Sequence, residues 1–216
     1  MITLPQHQLE LHRFVLYEIP NKEIKSILDC GCGRGIWGYL IREKFFEKTI
    51  YLVGVDLHKP YLEFCKKYRV YDDLVNADIS ALPFRQKSFD IVIGIEVIEH
   101  IPKEKGASFL EVIESIAKKK VIITTPNGYK AQGAFNYTNT ENHRSGWQTH
   151  DFKKRNYRVH GIGIRLSHLC DNLKTFWWLT WSLYYILTPL AYIVPQIGDT
   201  LLAIKTFPNK LNDFNK

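Results

Sequence analysis

Short apolar runs alternate with amphipathic segments along most of the chain. The runs that predict strands are Ser26–Asp29, Tyr51–Asp56, Leu74–Asp78, Phe89–Val97, Lys120–Thr125, Tyr157–Arg165 and Leu201–Thr206. The segments with helical spacing are Gly35–Phe46, His58–Tyr68, Ala107–Lys118 and the short Asp151–Asn156. Near-continuous apolar strands separated by amphipathic helices are typical of a parallel sheet covered on both faces. The pattern therefore predicts an α/β fold with a doubly wound sheet.

A polar side chain stands at the end of each of the first five predicted strands. These side chains are Asp29, Asp56, Asp78, Glu96 and Asn127. In open α/β sheets, ligands bind beyond the carboxyl ends of the strands, where the strand order reverses. The row of polar groups therefore predicts a ligand site at that edge.

The turn after the first strand reads Asp-Cys-Gly-Cys-Gly-Arg-Gly, with glycines at positions 31, 33 and 35. Gly33, Gly35 and Gly38 match the spacing of a dinucleotide-binding turn, with Asp56 downstream for a ribose. Charge favours a different cofactor, because Asp29 would repel the pyrophosphate of a dinucleotide. The sulfonium and ammonium groups of S-adenosylmethionine are instead attracted by carboxylates.

Cys30 and Cys32 raise the alternative of a metal or redox site in the same turn. The chain has four cysteines, with no CxxC pair and no second close pair to complete a zinc site. Side-chain alternation places the two on one side of the strand end. We interpret them as small residues that pack beneath the loop.

Five short motifs, in order, resemble those of class I S-adenosylmethionine-dependent methyltransferases. They are DCGCGRG, VGVDLH, NADISALPF, KSFDIVIGIEVIEHI and KKVIITTPNG, and they span about Ile24 to Gly128. The resemblance implies a Rossmann-like methyltransferase fold with a seven-stranded, mostly parallel sheet. It also implies one methyltransferase domain over residues 1–216 and methyl transfer from S-adenosyl-L-methionine.

The resemblance also assigns roles to individual residues around the cofactor. Gly31, Gly33 and Gly35 would let the backbone pass close to its methionine part, with Asp29 near the ammonium group. Asp56 would accept hydrogen bonds from the ribose, with Leu57 against the adenine. Asp78 would bond the adenine amino group, Ile79 would pack on the ring, and Glu96 would stand near the sulfonium.

Glu96, Glu99 and His100 share i, i+3, i+4 spacing, so a helical turn after Val97 would place them on one face. Two carboxylates and an imidazole suit Mg²⁺, Mn²⁺ or Zn²⁺. The motif is similar to one that holds a metal in ubiquinone-biosynthesis and Hen-type small-RNA O-methyltransferases. His143 precedes Trp147 by four, as a further metal-binding histidine does in the Hen-type enzymes.

Two other interpretations of this motif remain open. His100 or His143 could act as a general base, since histidine titrates near neutral pH. Glu99 and His100 could also do no more than cap and pack the start of a helix.

Thr175–Gly198 contains no charged residue, but Pro189 and Pro195 interrupt it and the last predicted strand follows directly. We therefore expect an apolar helical insertion at about 167–198 rather than a transmembrane span. It would form an acceptor pocket, a homodimer contact, a peripheral membrane contact or simply core.

The distribution of charge and the first residues of the chain lead to two further expectations. Residues 1–100 hold 13 basic and 14 acidic residues, whereas residues 101–216 hold 16 and 8. The basic second half suits an acidic partner such as RNA, lipid headgroups or an anionic substrate, or is simply a solvated basic surface. The first residues lack a signal-peptide pattern, so we expect a cytoplasmic protein.

The predicted function is methyl transfer to a small-molecule or lipid-like acceptor, at an oxygen. One alternative is a metal-dependent RNA 2′-O-methyltransferase. The other is a cofactor-binding protein of the same fold without catalysis.

Overall fold

The computed structural model describes residues 6–131, 142–164 and 177–208, which build one seven-stranded sheet. Its strands are β1 (Ser26–Cys30), β2 (Tyr51–Asp56), β3 (Asp73–Asn76), β4 (Phe89–Ile95), β5 (Ala117–Pro126), β6 (Arg158–Ile164) and β7 (Gly198–Thr206). The order is β3-β2-β1-β4-β5-β7-β6, with β7 antiparallel to both of its neighbours. The predicted doubly wound, mostly parallel sheet is confirmed.

The described helices are α1 (Gln6–Glu18), α2 (Ile36–Lys44), α3 (Lys59–Lys67), α4 (Lys103–Ile116), α5 (Thr149–Lys153) and α6 (Trp177–Ile193). The sequence did not predict α1, which buries Leu11 and Val15 at helical spacing. Pro102 precedes α4 and starts it four residues earlier than predicted. In the expected insertion at 167–198, α6 occupies the described part; residues 167–176 lie outside the described residues.

Side chains on the two faces of the sheet enter two separate cores. On β1, Ile27 packs with α1, α2 and α3, whereas Leu28 packs with α4 on the opposite face. Every residue of β4 is buried, because helices cover both faces there. Each fully buried aliphatic side chain of this kind contributes roughly 1.5–3 kcal/mol relative to an exposed one.

The prediction that Cys30 and Cys32 lie on one side of the strand end was wrong. Cys30 packs in the core on the α4 face, and Cys32 packs in the core on the α2 face. Gly31 between them has a φ of +73°, which ends the strand alternation at this residue. Both thiols are buried, as expected of residues packing beneath the loop.

Helix α6 lies against the edge strand β6. The ring of Tyr192 stacks on His160 with 3.9 Å between ring centroids and on Phe14 of α1 at 5.3 Å. Ala191 is buried close to Gly161, where a side chain would collide with the Ala191 carbonyl. No helix among residues 6–131, 142–164 and 177–208 is long and apolar enough to cross a bilayer.

Candidate cofactor and acceptor site

A cavity of about 300 Å³ opens at the carboxyl ends of β1, β2 and β4. This is the edge at which the sequence predicted a ligand site. Seven of the predicted cofactor residues line it: Gly31, Gly33, Asp56, Leu57, Asp78, Ile79 and Glu96. Elements far apart in the chain thus meet in one concave space.

The glycine loop forms the floor of the cavity. Gly31 and Gly33 both have positive φ angles, a conformation that costs other residues free energy. A Cβ at Gly31 would lie 2.3 Å from Cγ2 of Val97, whereas a Cβ at Gly33 would meet no atom within 4 Å. The backbone at Gly33 therefore faces open space, and a ligand can approach its main-chain atoms closely.

Asp56, at the end of β2, holds the loop in this shape. Its carboxylate accepts hydrogen bonds from the backbone N–H groups of Gly33 and His58, each at 2.8 Å. The neighbouring Leu57 lines the cavity with 54% of its surface exposed. An exposed leucine beside a carboxylate suits a ligand with an apolar ring and a hydroxyl-bearing sugar.

Asp78 and Ile79 form another wall, after β3. One carboxylate oxygen of Asp78 accepts hydrogen bonds from the backbone N–H and the hydroxyl of Ser80, both at 2.8 Å. The Ser80 backbone bond is the main cause that holds the pKa of Asp78 below its ordinary value. The group is therefore an ionised acceptor at neutral pH, as hydrogen bonding to an amino group requires.

Asp29 and Gly35 do not line the cavity. Asp29 is buried beneath the loop and accepts a 2.6 Å hydrogen bond from the hydroxyl of Tyr71. Burial raises the pKa of Asp29 to about 7. Gly35 has a φ of +82° and precedes α2, where a Cβ would crowd Cys65 and Val70. Their predicted contacts with the cofactor stay predictions, and both support the loop from below.

Glu96 follows β4 in a strained backbone conformation, with a φ of +52°. The β4 strand therefore ends at Ile95, two residues before its predicted end. Burial raises the pKa of the Glu96 carboxyl to about 7, although the Thr124 hydroxyl and Lys130 favour its charged form. Its Oε1 atom has no hydrogen-bond partner within the described ranges. Strain and an unpartnered buried oxygen in one residue suggest a functional role.

Glu99, His100 and His143 form a compact group beside the cavity. One ligand atom from each residue lies within 4.8 Å of the others. Glu99 is buried, with Oε2 accepting a 3.1 Å bond from Thr125 and Oε1 lacking a partner among the described residues. Burial raises the pKa of Glu99 well above its ordinary value, and the neighbouring Glu96 adds to this.

His143 reaches this group from a segment 43 positions further along the chain. Its Nδ1 lies 2.7 Å from the carbonyl oxygen of Lys130, which can only accept, so Nδ1 carries the proton. In the neutral ring, Nε2 then has a free lone pair. The rings of His143 and His100 meet edge to face, with centroids 5.0 Å apart.

Backbone bonds fix the segment that carries His143. The N–H groups of Arg144 and Ser145 both donate to the carbonyl oxygen of Glu99, at 2.7 and 3.0 Å. The buried Trp147 donates from Nε1 to the Ser145 hydroxyl at 2.9 Å. Glu99 therefore supplies a side chain to the group and also anchors the loop that delivers its third member.

The group fits a divalent cation. One carboxylate and two imidazoles are common ligands of Mn²⁺ and Zn²⁺. The hydrogen bond from His143 Nδ1–H to a carbonyl is the outer contact that normally orients a ligating histidine. Glu96 is absent from this three-residue group, although it was predicted with the other three.

Several lining residues were not predicted. His58, Tyr61, Val97, Ile101, Pro102 and Lys105 all border the cavity. His58 and Tyr61 meet edge to face with centroids 4.5 Å apart. The sequence feature that could have indicated His58 and Tyr61 as lining residues is their position shortly after Asp56 and Leu57, at the start of α3. Arg144 also borders the cavity, through the anchored segment.

Residues 27–120 match the family described as "Methyltransferase domain". The crystal structure of the small RNA methyltransferase HEN1 superposes with a TM-score of 0.63, at 17% identity, over 94% of this chain and 25% of that one. Residues 27–120 are thus similar to a methyltransferase family, and the described residues share the fold of known methyltransferase structures.

Two curated relatives extend this result. A mouse small RNA 2′-O-methyltransferase is 27% identical over 179 residues, which are 71% of this chain and 44% of that protein. An uncharacterised protein of Methanocaldococcus jannaschii is 29% identical over 123 residues, 56% of this chain and 51% of that one. The chain thus spans about half the length, or less, of these relatives.

Proposed function

We propose that this protein transfers a methyl group from S-adenosylmethionine to a hydroxyl oxygen, with a divalent cation held by Glu99, His100 and His143. The observation that carries the proposal is the position of this group, in which Glu99 is buried and the two histidines are partly exposed. It lies directly beside a cavity that fits the cofactor. S-adenosylmethionine, when bound, supplies the methyl group on its positively charged sulfur.

The floor and walls of the cavity would hold the cofactor. The open space at Gly33 would take the methionine part, with Gly31 lining the cavity beside it, and Asp56 would accept hydrogen bonds from the ribose. Asp78 would accept a hydrogen bond from the adenine amino group, and Leu57 and Ile79 would pack on the ring. Glu96 would then stand near the sulfonium.

The acceptor hydroxyl must lose its proton as the new carbon–oxygen bond forms. A cation on Glu99, His100 and His143 would lower the pKa of a hydroxyl bound to it. The same carboxylate and imidazoles would hold that oxygen in line with the methyl group, and alignment supplies much of the acceleration in such transfers. Without a cation, His100 or His143 would take the proton as a general base.

One candidate acceptor is a small-molecule or lipid-like compound. The outer side of α6 supports it, because large apolar side chains are exposed there. Asn127, at the end of β5, donates hydrogen bonds to three carbonyl oxygens of the turn after α6, those of Pro195, Gln196 and Gly198. The apolar helix is therefore fastened to the edge of the sheet that carries the active site.

The second candidate acceptor is the 2′-hydroxyl of RNA. The mouse relative and HEN1 bear the names of small-RNA methyltransferases, and the match to the mouse protein includes most of this chain. Lys105 and Arg144 line the cavity and would suit phosphate groups.

A non-catalytic protein of the same fold is the remaining alternative. It would bind the cofactor without transferring its methyl group. The buried oxygens of Glu96 and Glu99 that lack a partner among the described residues argue against it, because a purely structural site has no use for them.

The test is methyl transfer from isotopically labelled S-adenosylmethionine to two probes. One is a single-stranded RNA oligonucleotide, with its fully 2′-O-methylated copy as control. The other is catechol, a minimal pair of neighbouring hydroxyls, with benzene as control. Each reaction is run with Mn²⁺, with Mg²⁺ and with a chelator.

Cation-dependent labelling of one probe, absent from its control, would support the proposal and identify the acceptor class. Labelling that the chelator leaves unchanged would reject the cation. Protein that binds S-adenosylhomocysteine but labels neither probe, nor any lipid or metabolite in an extract, would support the non-catalytic alternative.

A further inference from the structure

Lys130 makes one polar contact with its side chain and another with its main chain. Its ammonium group lies 2.6 Å from Oδ1 of Asp199, the second residue of β7. Its carbonyl oxygen accepts the 2.7 Å hydrogen bond from Nδ1–H of His143. The side chain of Asp199 is 11% exposed and that of Lys130 is 35% exposed. One residue thus connects the start of β7 to the cation-binding group of Glu99, His100 and His143.

The main chain that leads to Lys130 is fixed shortly before it. The N–H group of Gly128 donates a 2.6 Å hydrogen bond to the carbonyl oxygen of Trp147, so the chain after β5 runs beside the segment that carries His143. The side-chain contact with Asp199 then fixes Lys130 itself. The carbonyl oxygen that faces His143 is therefore held by a backbone bond two residues earlier and by the ion pair.

The ion pair restrains Lys130 because Asp199 lies in a mostly buried position. A buried carboxylate keeps its cation close, since separating the two leaves an uncompensated charge. The same ammonium group also acts on Glu96. Burial raises the pKa of the Glu96 carboxyl, the Lys130 ammonium opposes that rise, and Asp199 adds to it. Changing the lysine side chain therefore affects the carbonyl that faces His143 and the charge near Glu96.

The contact between the Lys130 carbonyl and the His143 ring is of the kind that prepares a histidine to bind a metal. Such a histidine needs a fixed ring plane and tautomer, and the partner of its other nitrogen sets both. We propose that Lys130, held by Asp199, is a positioning residue for His143. Lys130 does not line the cofactor cavity and acts on the cation-binding group through this hydrogen bond. The inference rests on the proposed function and adds two residues that the sequence motifs did not indicate.

NMR of the imidazole N–H groups tests the positioning without any cation. In wild-type protein we expect a slowly exchanging Nδ1–H signal from His143, assigned by its absence from His143→Ala. Lys130→Met and Asp199→Asn should lose this signal, because a less restrained carbonyl lets the ring N–H exchange with water. Lys130→Arg keeps the positive charge and should keep the signal.

Mn²⁺ affinity, measured by electron paramagnetic resonance, tests the consequence for the cation-binding group. Lys130→Met and Asp199→Asn should each weaken Mn²⁺ binding at least about tenfold and lower turnover in parallel. Affinity for S-adenosylhomocysteine should stay within about threefold of wild type. In a His143→Ala background, Lys130→Met should cause no further loss of Mn²⁺ affinity, because its effect passes through the His143 ring.

Glu114→Gln is the matched control for loss of an ion pair. Glu114 on α4 pairs with Lys205 at 2.6 Å, and its side chain is 16% exposed. Lys205 and Asp199 lie near opposite ends of β7, so this pair is remote from the cation-binding group. Glu114→Gln should lower the melting temperature as Asp199→Asn does, and should leave the His143 signal and Mn²⁺ affinity unchanged.

Two kinds of result would overturn the inference. One is a folded Lys130→Met protein with an unchanged His143 signal and Mn²⁺ affinity, or a wild-type protein without the signal. The other is an equal loss of signal and affinity in Glu114→Gln. Wild-type protein that shows the signal but binds no Mn²⁺ would reject the cation of the proposed function, and the signal in the variants would still decide the role of Lys130. If Lys130→Met does not fold, Asp199→Asn decides, since it leaves the partly exposed lysine free to turn towards water.

Discussion

The two sides of the active site are built in different ways. On the cofactor side, the shape of the site is set mainly by backbone groups and by their hydrogen bonds to carboxylates. Asp56 bonds Gly33 and His58, and Asp78 bonds Ser80, so these carboxylates already have partners. On the acceptor side, Glu96 and Glu99 are buried, each with one oxygen that lacks a partner in the described structure.

Because of this difference, the two sides should be sensitive to different kinds of substitution. The cofactor side depends on backbone shape, so added bulk should break it. The acceptor side depends on the chemistry of a few side chains brought together over long chain distances. Removing one of those side chains should stop the reaction and leave cofactor binding intact.

Gly31→Ala should have the largest effect. Its Cβ would lie 2.3 Å from Val97 Cγ2 in a backbone conformation that alanine adopts poorly. We expect affinity for S-adenosylhomocysteine to fall at least about hundredfold, with lower thermal stability. Titration calorimetry and a melting curve measure both.

Gly33→Ala is the matched control, because Gly33 also has a positive φ, +51° against +73° for Gly31, but no steric neighbour. It should lose less stability than Gly31→Ala. Equal loss in the two variants would mean that φ strain alone, rather than the close approach of Val97, makes the loop depend on glycine.

His143→Ala should affect the other side alone. We expect turnover to fall at least about hundredfold, because both the cation-binding group and the candidate base are lost. Affinity for S-adenosylhomocysteine should stay within about threefold, since His143 does not line the cofactor cavity. Mn²⁺ binding, measured by electron paramagnetic resonance, should weaken in parallel.

His150→Ala supplies the control, since His150 is an exposed histidine only seven positions away. It should retain turnover and Mn²⁺ binding. Normal turnover of His143→Ala would contradict the acceptor-side account.

Asp29→Asn should change the way stability depends on pH. Burial raises the pKa of Asp29 to about 7 in the folded state, from 3.8 when unperturbed. Folding therefore favours the protonated acid, and this contribution is complete below about pH 4 and lost as the pH rises to about 7. Wild type should lose stability relative to the variant over that interval, by at most about 4 kcal/mol.

Melting temperatures of the two cofactor-free proteins across this pH range measure the difference. A difference that does not change with pH would mean that Asp29 stays charged in the folded protein, despite its burial and the Tyr71 hydrogen bond.

The fold and the cofactor side could be predicted because their signals are local. The periodicity of apolar residues predicted the strands and helices that form the sheet, and Gly31, Gly33 and Asp56 lie within or shortly after strands. The helix α1 was missed, although Leu11 and Val15 carry its spacing, because no turn or motif marked its start. The early end of β4 could not be read from the sequence, since it depends on the positive φ of Glu96.

The residues of the acceptor side could be predicted from their spacing and from the family resemblance, but their arrangement in space could not. No local sequence pattern indicates that His143 lies against His100. Their contact depends on the hydrogen bonds from the Arg144 and Ser145 N–H groups to the Glu99 carbonyl. The same limit applies to Glu96, which shares the spacing of Glu99 and His100. Its carboxyl instead faces Thr124 and Lys130.

The central claim is that the cavity beside the glycine loop binds S-adenosylmethionine. Calorimetric titration of wild type and Asp56→Ala with S-adenosylhomocysteine, with NAD as the control ligand, tests it most directly. We predict binding to wild type, its loss in the variant and no binding of NAD. A folded wild-type protein that binds neither ligand, or that binds NAD instead, would contradict the account.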